Sequence, residues 1–305
     1  MATKEKSEIK IGKHVVSITN RKKVYWPDDG YTKGDLIDYY DKMADYILPH
    51  LKWRCLSLKR NPNGINDKGF YHKDAGENVP PYVDVFKVKS ESNNKIIDYI
   101  VCNNKATLLY VANLGCIEIN PWNSTTKKQG HPTWVVIDID PSDKNKFTEV
   151  VDTALAVKKV LDKAGVSSYC KTSGASGLHV YIPLKNKYDY VTVRNFAHII
   201  ASFAQEQLPK ITTLERSLSK RGPKIYIDYL QNSAGQTLAS VYSIRPVTGA
   251  SVSTPLEWKE VNHQLSPQQF TIQNIFQRVK KKGDLFLPVL NESNSIEKAL
   301  KGLNV

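Results

Sequence analysis

The stretch WVVIDID at Trp134–Asp140 decides the interpretation of this sequence, together with KIYIDYL at residues 224–230. Both are short, apolar and rich in β-branched residues, which is typical of buried strands. Residues two apart on a strand share a face, so Asp138 and Asp140 project together, about 6.5–7 Å apart along the chain. Two carboxylates beside an apolar run are costly unless a cation neutralises them, and their oxygens suit Mg²⁺ or Mn²⁺. The alternative is an Asp pair hydrogen-bonded to the turn that follows the strand.

The second stretch carries a single carboxylate, Asp228, at the centre of its apolar run. A lone buried carboxylate also needs a partner. If the two stretches are neighbouring strands, three carboxylates converge, which is the ligand set of a two-metal phosphoryl-transfer site. The alternative is that Asp228 faces solvent on an edge strand.

A Ser-Gly-rich turn, KTSGASGLH at residues 171–179, lies between these strands. Gly174 and Gly177 permit a tight turn whose backbone N–H groups can form an anion-binding nest. Ser173 adds a hydroxyl group, and Lys171 and His179 add nitrogen donors at the two ends. Such a loop could hold a triphosphate, although a plain glycine-rich hairpin has the same composition. The spacing does not fit a P-loop.

A run of cations leads into the strand of Asp228. The run consists of Lys220, Arg221 and Lys224, and the polar residues Gln231, Asn232 and Arg245 follow it. Such a run is usually a solvated face, but beside a metal site its charges would neutralise nucleotide phosphates. The polar residues could contact phosphate or base.

Composition limits the classes of partner. The 305 residues include 43 Lys and Arg against 30 Asp and Glu, a formal net charge of +13. This charge is compatible with nucleic acid, an anionic membrane surface or a phosphorylated small molecule. No apolar run approaches the roughly 20 residues of a membrane span, and the first residues lack the apolar core of a secretory signal. We therefore expect a cytoplasmic globular protein whose four scattered cysteines are free and buried.

Strands and helices intermix with hairpin-like pairs, which predicts an α+β (mixed α/β) fold. Predicted strands include 14–19, 134–140, 167–172, 178–184, 224–230 and 239–245. Helices are predicted from Thr32 to Pro49, and at about 104–115, 148–164, 192–207 and 267–281. The polar stretch 120–132 is the predicted boundary, at about residue 125, between an N-terminal and a catalytic half. Residues 1–12 are expected to be a flexible tail and 291–305 a C-terminal tail, which leaves 13–290 as the domain.

With D-x-D, SG-x-x-GLH and the later strand Asp in this order, the chain resembles the archaeo-eukaryotic primase superfamily. It is most similar to the polymerase domain of bacterial and archaeal DNA ligase D, used in non-homologous end joining. Residues 18–40 are similar to the family's segment that holds the 5′-phosphate of a recessed downstream strand, with Asn20, Lys23 and Lys33 at the matching positions. The motifs LKRNPNG (58–64), GFYHKD (69–74) and YSIRPVTGASVSTPLEW (242–258) also match. They add Lys59 and Arg60 to the expected DNA-binding residues, and Phe70 and Tyr71 as the pair that stacks on the template strand.

The resemblance implies two β-sheets with flanking helices and an RRM-like catalytic module. It implies a template-dependent nucleotidyltransferase that extends primers and fills short gaps, favouring ribonucleotides. Asp138, Asp140 and Asp228 would bind two Mn²⁺ (or Mg²⁺) ions. The expected nucleotide-binding residues, for an NTP or dNTP, are Lys171, Ser173, Gly174, His179, Arg221, Lys224, Gln231, Arg245 and Asn120.

Two positions depart from the family pattern. Asn120 stands where members often carry His, and an amide cannot be protonated. Ser176 stands where some relatives have Lys, which removes one triphosphate contact. The first change bears on nucleotide preference and the second on triphosphate binding, whereas the metal carboxylates are intact.

The partners implied by the resemblance are DNA ends and gapped DNA with a 5′-phosphate, nucleoside triphosphates, Ku, and a separate or fused DNA ligase. No membrane is involved, and the expected location is the nucleoid. Three alternatives remain: a stand-alone primase that starts chains de novo, a non-catalytic DNA-end-bridging module, and a metal nuclease. The 5′-phosphate segment argues against the first, the three Asp against the second, and the Ser-Gly loop against the third.

Overall fold

The computed structural model describes residues 6–89 and 94–305. Its strands are β1 (Lys6–Ile11), β2 (His14–Thr19), β3 (Val24–Trp26), β4 (Tyr31–Thr32), β5 (Leu56–Arg60), β6 (Phe70–His72), β7 (Asp84–Lys89), β8 (Ile96–Val101), β9 (Cys116–Pro121), β10 (Ser124–Thr125), β11 (Lys128–Pro132), β12 (Trp134–Asp140), β13 (Tyr169–Thr172), β14 (Leu178–Pro183), β15 (Thr212–Thr213), β16 (Ile225–Asp228) and β17 (Pro255–Leu256). Its helices are α1 (Lys33–Leu51), α2 (Lys105–Asn113), α3 (Phe147–Lys163), α4 (Tyr190–Gln207), α5 (Leu218–Arg221), α6 (Ile275–Lys282), α7 (Pro288–Asn291) and α8 (Ile296–Leu303).

The largest sheet places the two Asp-bearing strands side by side. Its strand order is β15-β16-β12-β14-β13-β17, and all neighbours are antiparallel except the parallel pair β15–β16. Successive residues of β12 point to opposite faces, so Val135 and Ile137 pack into one hydrophobic core while Trp134 and Val136 pack into another. The first core also contains residues of α3, α4 and α8, and the second contains residues of α1 and α2. Burial on both faces explains why WVVIDID is almost continuously apolar.

The N-terminal half is built around α1 and a three-stranded sheet of order β6-β5-β9. Thr32 caps α1 in a capping box with Asp35, which confirms the predicted helix start. The helix continues beyond its predicted end, because Pro49 lies inside its last turn. Pro49 cannot donate a backbone hydrogen bond there. The free energy lost in this way is smaller than the free energy gained by burying Ile47 and Leu51, which are both inaccessible to solvent.

Two predicted elements differ from the structure. Residues 239–245, predicted as a strand, are irregular apart from a single bridge between Ile244 and Val252. The Tyr242 N–H bonds to the Ser253 carbonyl, whereas the Ser240 N–H bonds to the Ile119 carbonyl, so the partner changes along the segment. Tyr242 also has φ +63°, which interrupts an extended strand. The helix predicted at about 267–281 is α6, which starts at Ile275 rather than at residue 267, because residues 265–274 form turns and a bridge to residue 251.

The predicted boundary and tails contain regular structure. Residues 124–132 form the hairpin of β10 and β11. At the N-terminus, β1 pairs along its whole length with β2. At the C-terminus, α8 buries Ile296, Ala299 and Leu303. Residues 1–5 of the predicted tail lie outside the described residues.

All four cysteines are free and buried, as predicted. No helix in the described part of the chain is long and apolar enough to span a lipid bilayer.

Candidate active site

A row of four polar side chains crosses the largest sheet. Asp138 on β12 lies directly opposite Asp228 on β16 and His179 on β14, and His179 lies opposite Lys171 on β13. Residues directly opposite each other on antiparallel strands have Cα atoms about 4.5–5.5 Å apart and side chains on the same face. The pairing of the two Asp-bearing strands, which the sequence left conditional, is therefore present.

A cleft of about 270 Å³ opens over this row. The expected nucleotide and metal residues that line it are Asn120, Asp138, Asp140, Ser173, His179, Gln231 and Arg245. Burial, reinforced by the neighbouring Asp228 and Asp140 carboxylates, raises the pKa of Asp138 to about 8. Burial also raises the pKa of Asp228. These carboxylates repel one another, so the cleft favours bound positive charge.

The three expected metal ligands are not preassembled. Among the described residues, no group of three or more His, Cys, Asp or Glu side chains is arranged to hold a metal ion. The two oxygens of Asp228 accept hydrogen bonds from the turn that follows it, from the Leu230 N–H at 2.7 Å and the Gln231 amide at 3.0 Å. Asp138 and Asp140 do line the cleft together. Crowded carboxylate oxygens fit a hard divalent cation.

The Ser-Gly turn lies against the end of β12, and both of its glycines are sterically required. Gly174 has φ +77°, and a Cβ there would lie 2.7 Å from the Arg245 side chain. A Cβ on Gly177 would lie 2.3 Å from the Ile139 carbonyl oxygen. The Ser173 hydroxyl accepts hydrogen bonds from the N–H groups of residues 175 and 177, at 3.1 and 3.0 Å. In this state two N–H groups of the expected anion nest therefore point at Ser173 itself.

Two arginines border the carboxylates. Arg245 donates to a Glu118 carboxylate oxygen at 2.7 Å and to the Ser173 carbonyl at 2.5 Å. Arg221 donates to Asp140 Oδ2 at 3.0 Å, with its guanidinium 4.4 Å from the centre of the Tyr226 ring. Each arginine is already paired with a carboxylate, so a phosphate in the cleft would either share the guanidinium group with that carboxylate or displace the carboxylate.

The structure places two expected nucleotide contacts elsewhere. Lys171 is fully buried beneath the cleft, and its Nζ bonds to His179, to the Ala239 carbonyl and to Ser253. Lys224 points away from the cleft and donates to the Pro209 carbonyl at 2.8 Å. The sequence showed positive charge close to the site along the chain, but it did not show on which side of the strand each cation lies.

Glu118 is a site residue that sequence reasoning missed. It lies on β9, lines the cleft, and its side chain is only 6% exposed beside Arg245. A signal was available, because CIEIN is an apolar strand with one central carboxylate, the same pattern as KIYIDYL. Tyr71, expected to contact the template, lines the same cleft.

A second pocket, of about 320 Å³, gathers four of the expected DNA-binding residues. Asn20, Lys23, Lys33 and Arg60 line it, together with Tyr25, Pro62, Asn113 and Leu114. Burial, with repulsion from Lys23 and Arg60, lowers the pKa of Lys33 to about 8. None of the described residues lining this pocket is Asp or Glu. The pocket is therefore suited to an anion such as a phosphate group.

The β5–β6 ribbon connects the two pockets. Tyr71 on β6 lines the cleft and lies opposite Lys59, whereas the neighbouring Phe70 lies opposite Arg60 of the cationic pocket. Lys59 Nζ is 4.9 Å from the centre of the Tyr71 ring, and the Arg60 guanidinium is 5.3 Å from that of Phe70. Both aromatic residues are about half exposed, at 59% and 47%. Exposed aromatic rings beside cations are typical surfaces for stacking nucleic-acid bases.

A mixed α/β fold with a carboxylate cleft, an adjoining Ser-Gly turn and a separate cationic pocket defines a nucleotidyltransferase of the primase-polymerase type. The chain belongs to the LigD primase-polymerase domain family, whose model matches residues 32–286. It is 34% identical over 269 residues to the bifunctional non-homologous end joining protein LigD of Bacillus subtilis, covering 88% of this chain and 43% of that protein. It is 28% identical over 277 residues to the multifunctional LigD of Mycolicibacterium smegmatis, covering 90% of this chain and 36% of that protein.

A solved structure confirms the predicted fold class. The polymerase domain from Mycobacterium tuberculosis ligase D in complex with DNA superposes with a TM-score of 0.84 at 28% identity, covering 92% of this chain and 99% of that chain. The present chain spans less than half the length of the curated relatives described above.

Proposed function

We propose that this chain extends a primer strand on a DNA template at a break or short gap, as the polymerase of non-homologous end joining. One observation carries the proposal: the carboxylate cleft and the carboxylate-free cationic pocket lie on a shared ribbon that bears two exposed aromatic rings. A nucleotide and a primer end fit the first pocket, and the 5′-phosphate of a downstream strand fits the second.

In the cleft, Asp138 and Asp140, joined by Asp228, would hold two divalent cations, Mn²⁺ or Mg²⁺. When bound, such cations supply charge neutralisation and Lewis acidity for attack of a 3′-hydroxyl on the nucleotide α-phosphate. The other residues of the cleft bind and orient the nucleotide. Arg221 and Arg245 are positioned to donate to phosphate oxygens as well as to their carboxylate partners. Ser173 and Gly174 shape the loop beside them.

Two unpaired polar atoms support a preference for ribonucleotides. Asn120 Nδ2 and Gln231 Oε1 are buried and have no hydrogen-bond partner among the described residues, and both side chains line the cleft. A buried unpaired polar group costs about 1–3 kcal/mol, so a ligand that pairs with it gains affinity. A ribose hydroxyl is both donor and acceptor and complements an amide N–H and a carbonyl oxygen.

The cationic pocket supports recognition of a 5′-phosphate. Lys23 and Arg60 lie near Lys33, whose side chain is buried and bonds to Thr19 Oγ1 at 3.2 Å. A phosphate dianion would relieve the mutual repulsion of these cations. The relatives are end-joining proteins more than twice as long as this chain. We therefore propose Ku and a separate or fused DNA ligase as partners, with sealing performed outside this chain.

The test is primer extension on a gapped duplex, with NTP or dNTP, with Mn²⁺ or Mg²⁺, and with a 5′-phosphate or 5′-hydroxyl downstream strand. We expect extension that requires a divalent ion, favours NTP and is stimulated by the 5′-phosphate. Asp138→Ala should abolish extension without abolishing DNA binding, whereas Asp143→Ala, in the exposed turn after β12, should retain it. Synthesis without a primer would favour a primase, and full extension by the Asp138 variant would exclude this site.

A further inference from the structure

Trp53 has a backbone conformation that suits glycine rather than tryptophan. It follows the C-cap of α1 with φ +61°, in the left-handed region, where a bulky side chain costs free energy and glycine usually ends a helix. Hydrogen bonds hold it there, because its N–H donates to Asn103 Oδ1 at 2.8 Å and its carbonyl accepts from the Thr126 N–H at 2.6 Å. Trp53 is nevertheless 45% exposed. Packing in a core therefore does not explain a tryptophan at this position.

A lysine lies over the ring of Trp53, with Lys127 Nζ 4.2 Å from the ring centre. In the part of the chain that the structure describes, the exposed Phe, Tyr and Trp residues are Trp53, Phe70 and Tyr71. Each of them has a lysine or arginine over its ring. Phe70 and Tyr71 are the residues expected to stack on DNA, so Trp53 repeats their chemistry at a separate place.

The surroundings of Trp53 are mainly cationic. We define the Trp53 patch as Lys52, Trp53, Lys127 and Lys128. The hairpin segment 122–133, which supplies two of these lysines, contains no Asp or Glu. One carboxylate, that of Asp84, is linked to the patch, and it accepts a hydrogen bond from the Asn103 amide at 2.8 Å. A surface with an exposed ring beside several cations can stack a base and neutralise the phosphates that flank it.

The Trp53 patch and the cationic pocket lie at opposite ends of β5. Arg60, the last residue of β5, lines the pocket. Between the two ends, Ser57 lies opposite Asn120, which lines the cleft. The chain from Trp53 to Arg60 has seven residue steps, which span at most about 25 Å. A single strand of about 8 nucleotides, at about 3.4 Å each, can therefore reach the patch from the pocket.

We propose that the Trp53 patch binds the single-stranded 3′ overhang of a DNA end, with one base stacked on Trp53 and the adjoining phosphates paired with Lys127 and Lys128. The inference rests on the proposed function, in which the 5′-phosphate of a recessed strand occupies the cationic pocket and the opposite strand crosses the cleft as template. The unpaired end of that template then meets the patch. The patch gives this chain a preference for ends whose overhang is long enough to pass the cleft.

The test is a fluorescence-anisotropy titration of labelled duplexes that carry a recessed 5′-phosphate and a 3′ overhang of about 2 or about 12 nucleotides. At about 3.4 Å per nucleotide, only the longer overhang spans the distance between the pocket and the patch. We expect the wild type to bind the longer overhang about tenfold more tightly, as for one stacked base. Trp53→Ala should lose most of this difference and bind the shorter overhang as the wild type does.

Two further variants separate base stacking from general effects. Leu155→Ala is the matched control, because Leu155 is similarly exposed, at 40%, on α3, which packs on the face of the largest sheet opposite to Asp138. It should bind both overhangs like the wild type. Trp53→Gly suits the left-handed backbone, so it should unfold at a urea concentration no lower than that of the wild type while losing the preference for the longer overhang.

An unchanged preference in Trp53→Ala would overturn the inference and favour a protein as the occupant of the patch. An equal loss of affinity for both overhangs would also overturn it. The proposed function fails separately, because these titrations contain neither metal nor nucleotide. A wild-type chain that prefers the longer overhang but extends no primer would refute the polymerase activity and retain the patch as a DNA-binding surface.

Discussion

Removal of the Asp138 charge should make the protein more stable while destroying its activity. Burial and the neighbouring carboxylates raise the pKa of Asp138 from 3.8 to about 8. Between these values the folded chain holds a proton that the unfolded chain has released, so stability falls as pH rises from about 4 to 8. At pH 7 the loss is at most about 4 kcal/mol, taken as roughly three pKa units of about 1.36 kcal/mol each. Asp138→Asn removes this penalty.

The assay is urea unfolding at several pH values between 4.5 and 8, in the presence of a metal chelator, for the wild type and Asp138→Asn. We expect the wild type to lose stability across this range and the variant to lose much less. Mn²⁺ should restore stability to the wild type and not to the variant, because a ligand that binds only the folded state stabilises it. Asp143→Asn, in the exposed turn, should behave like the wild type. Identical pH dependence in wild type and Asp138→Asn would refute the proposed carboxylate repulsion.

Three other perturbations test separate parts of the molecule. Gly177→Ala should lower both the thermal stability and the rate of primer extension, because the added Cβ would lie 2.3 Å from a backbone carbonyl oxygen. Gly130→Ala is the control in both assays, because a Cβ there has no atom within 4 Å. Preference for a 5′-phosphate over a 5′-hydroxyl should weaken as pH rises through about 8, where Lys33 loses its charge, and Lys33→Arg should retain it to higher pH in binding titrations. Glu118→Ala should destabilise by about 3 kcal/mol in urea unfolding, because it removes the carboxylate partner of the partly buried Arg245 charge and leaves, among the described residues, only the Ser173 carbonyl; a loss below about 0.5 kcal/mol would contradict this pairing.

The strands that carry the site could be predicted because their chemistry is local. A carboxylate inside an apolar β-branched run is visible in the sequence, and it located Asp138, Asp140 and Asp228 on two strands. The structure then places these strands side by side, which the sequence had left conditional. The order of the motifs then identified the family, which no single motif would have done. Local capping chemistry likewise located the start of α1 at Thr32.

The direction of each side chain could not be predicted, because it depends on tertiary neighbours. Lys171 and Lys224 both lie close to the site along the chain, yet one is buried beneath the histidine and the other bonds to Pro209. Asp228 has the predicted strand position, but its two oxygens accept hydrogen bonds from the turn that follows it. Residues 239–245 alternate like a strand and nevertheless find no continuous partner.

The β5–β6 ribbon contributes residues to both pockets. Consecutive residues of one strand face opposite sides, so Phe70 stands beside the cationic pocket while Tyr71 faces the cleft. Residues on opposite faces of the same ribbon therefore line the two pockets. On the proposed function, the ribbon fixes the distance between a primer end in the cleft and a downstream 5′-phosphate in the cationic pocket, so it sets the length of gap that this chain fills.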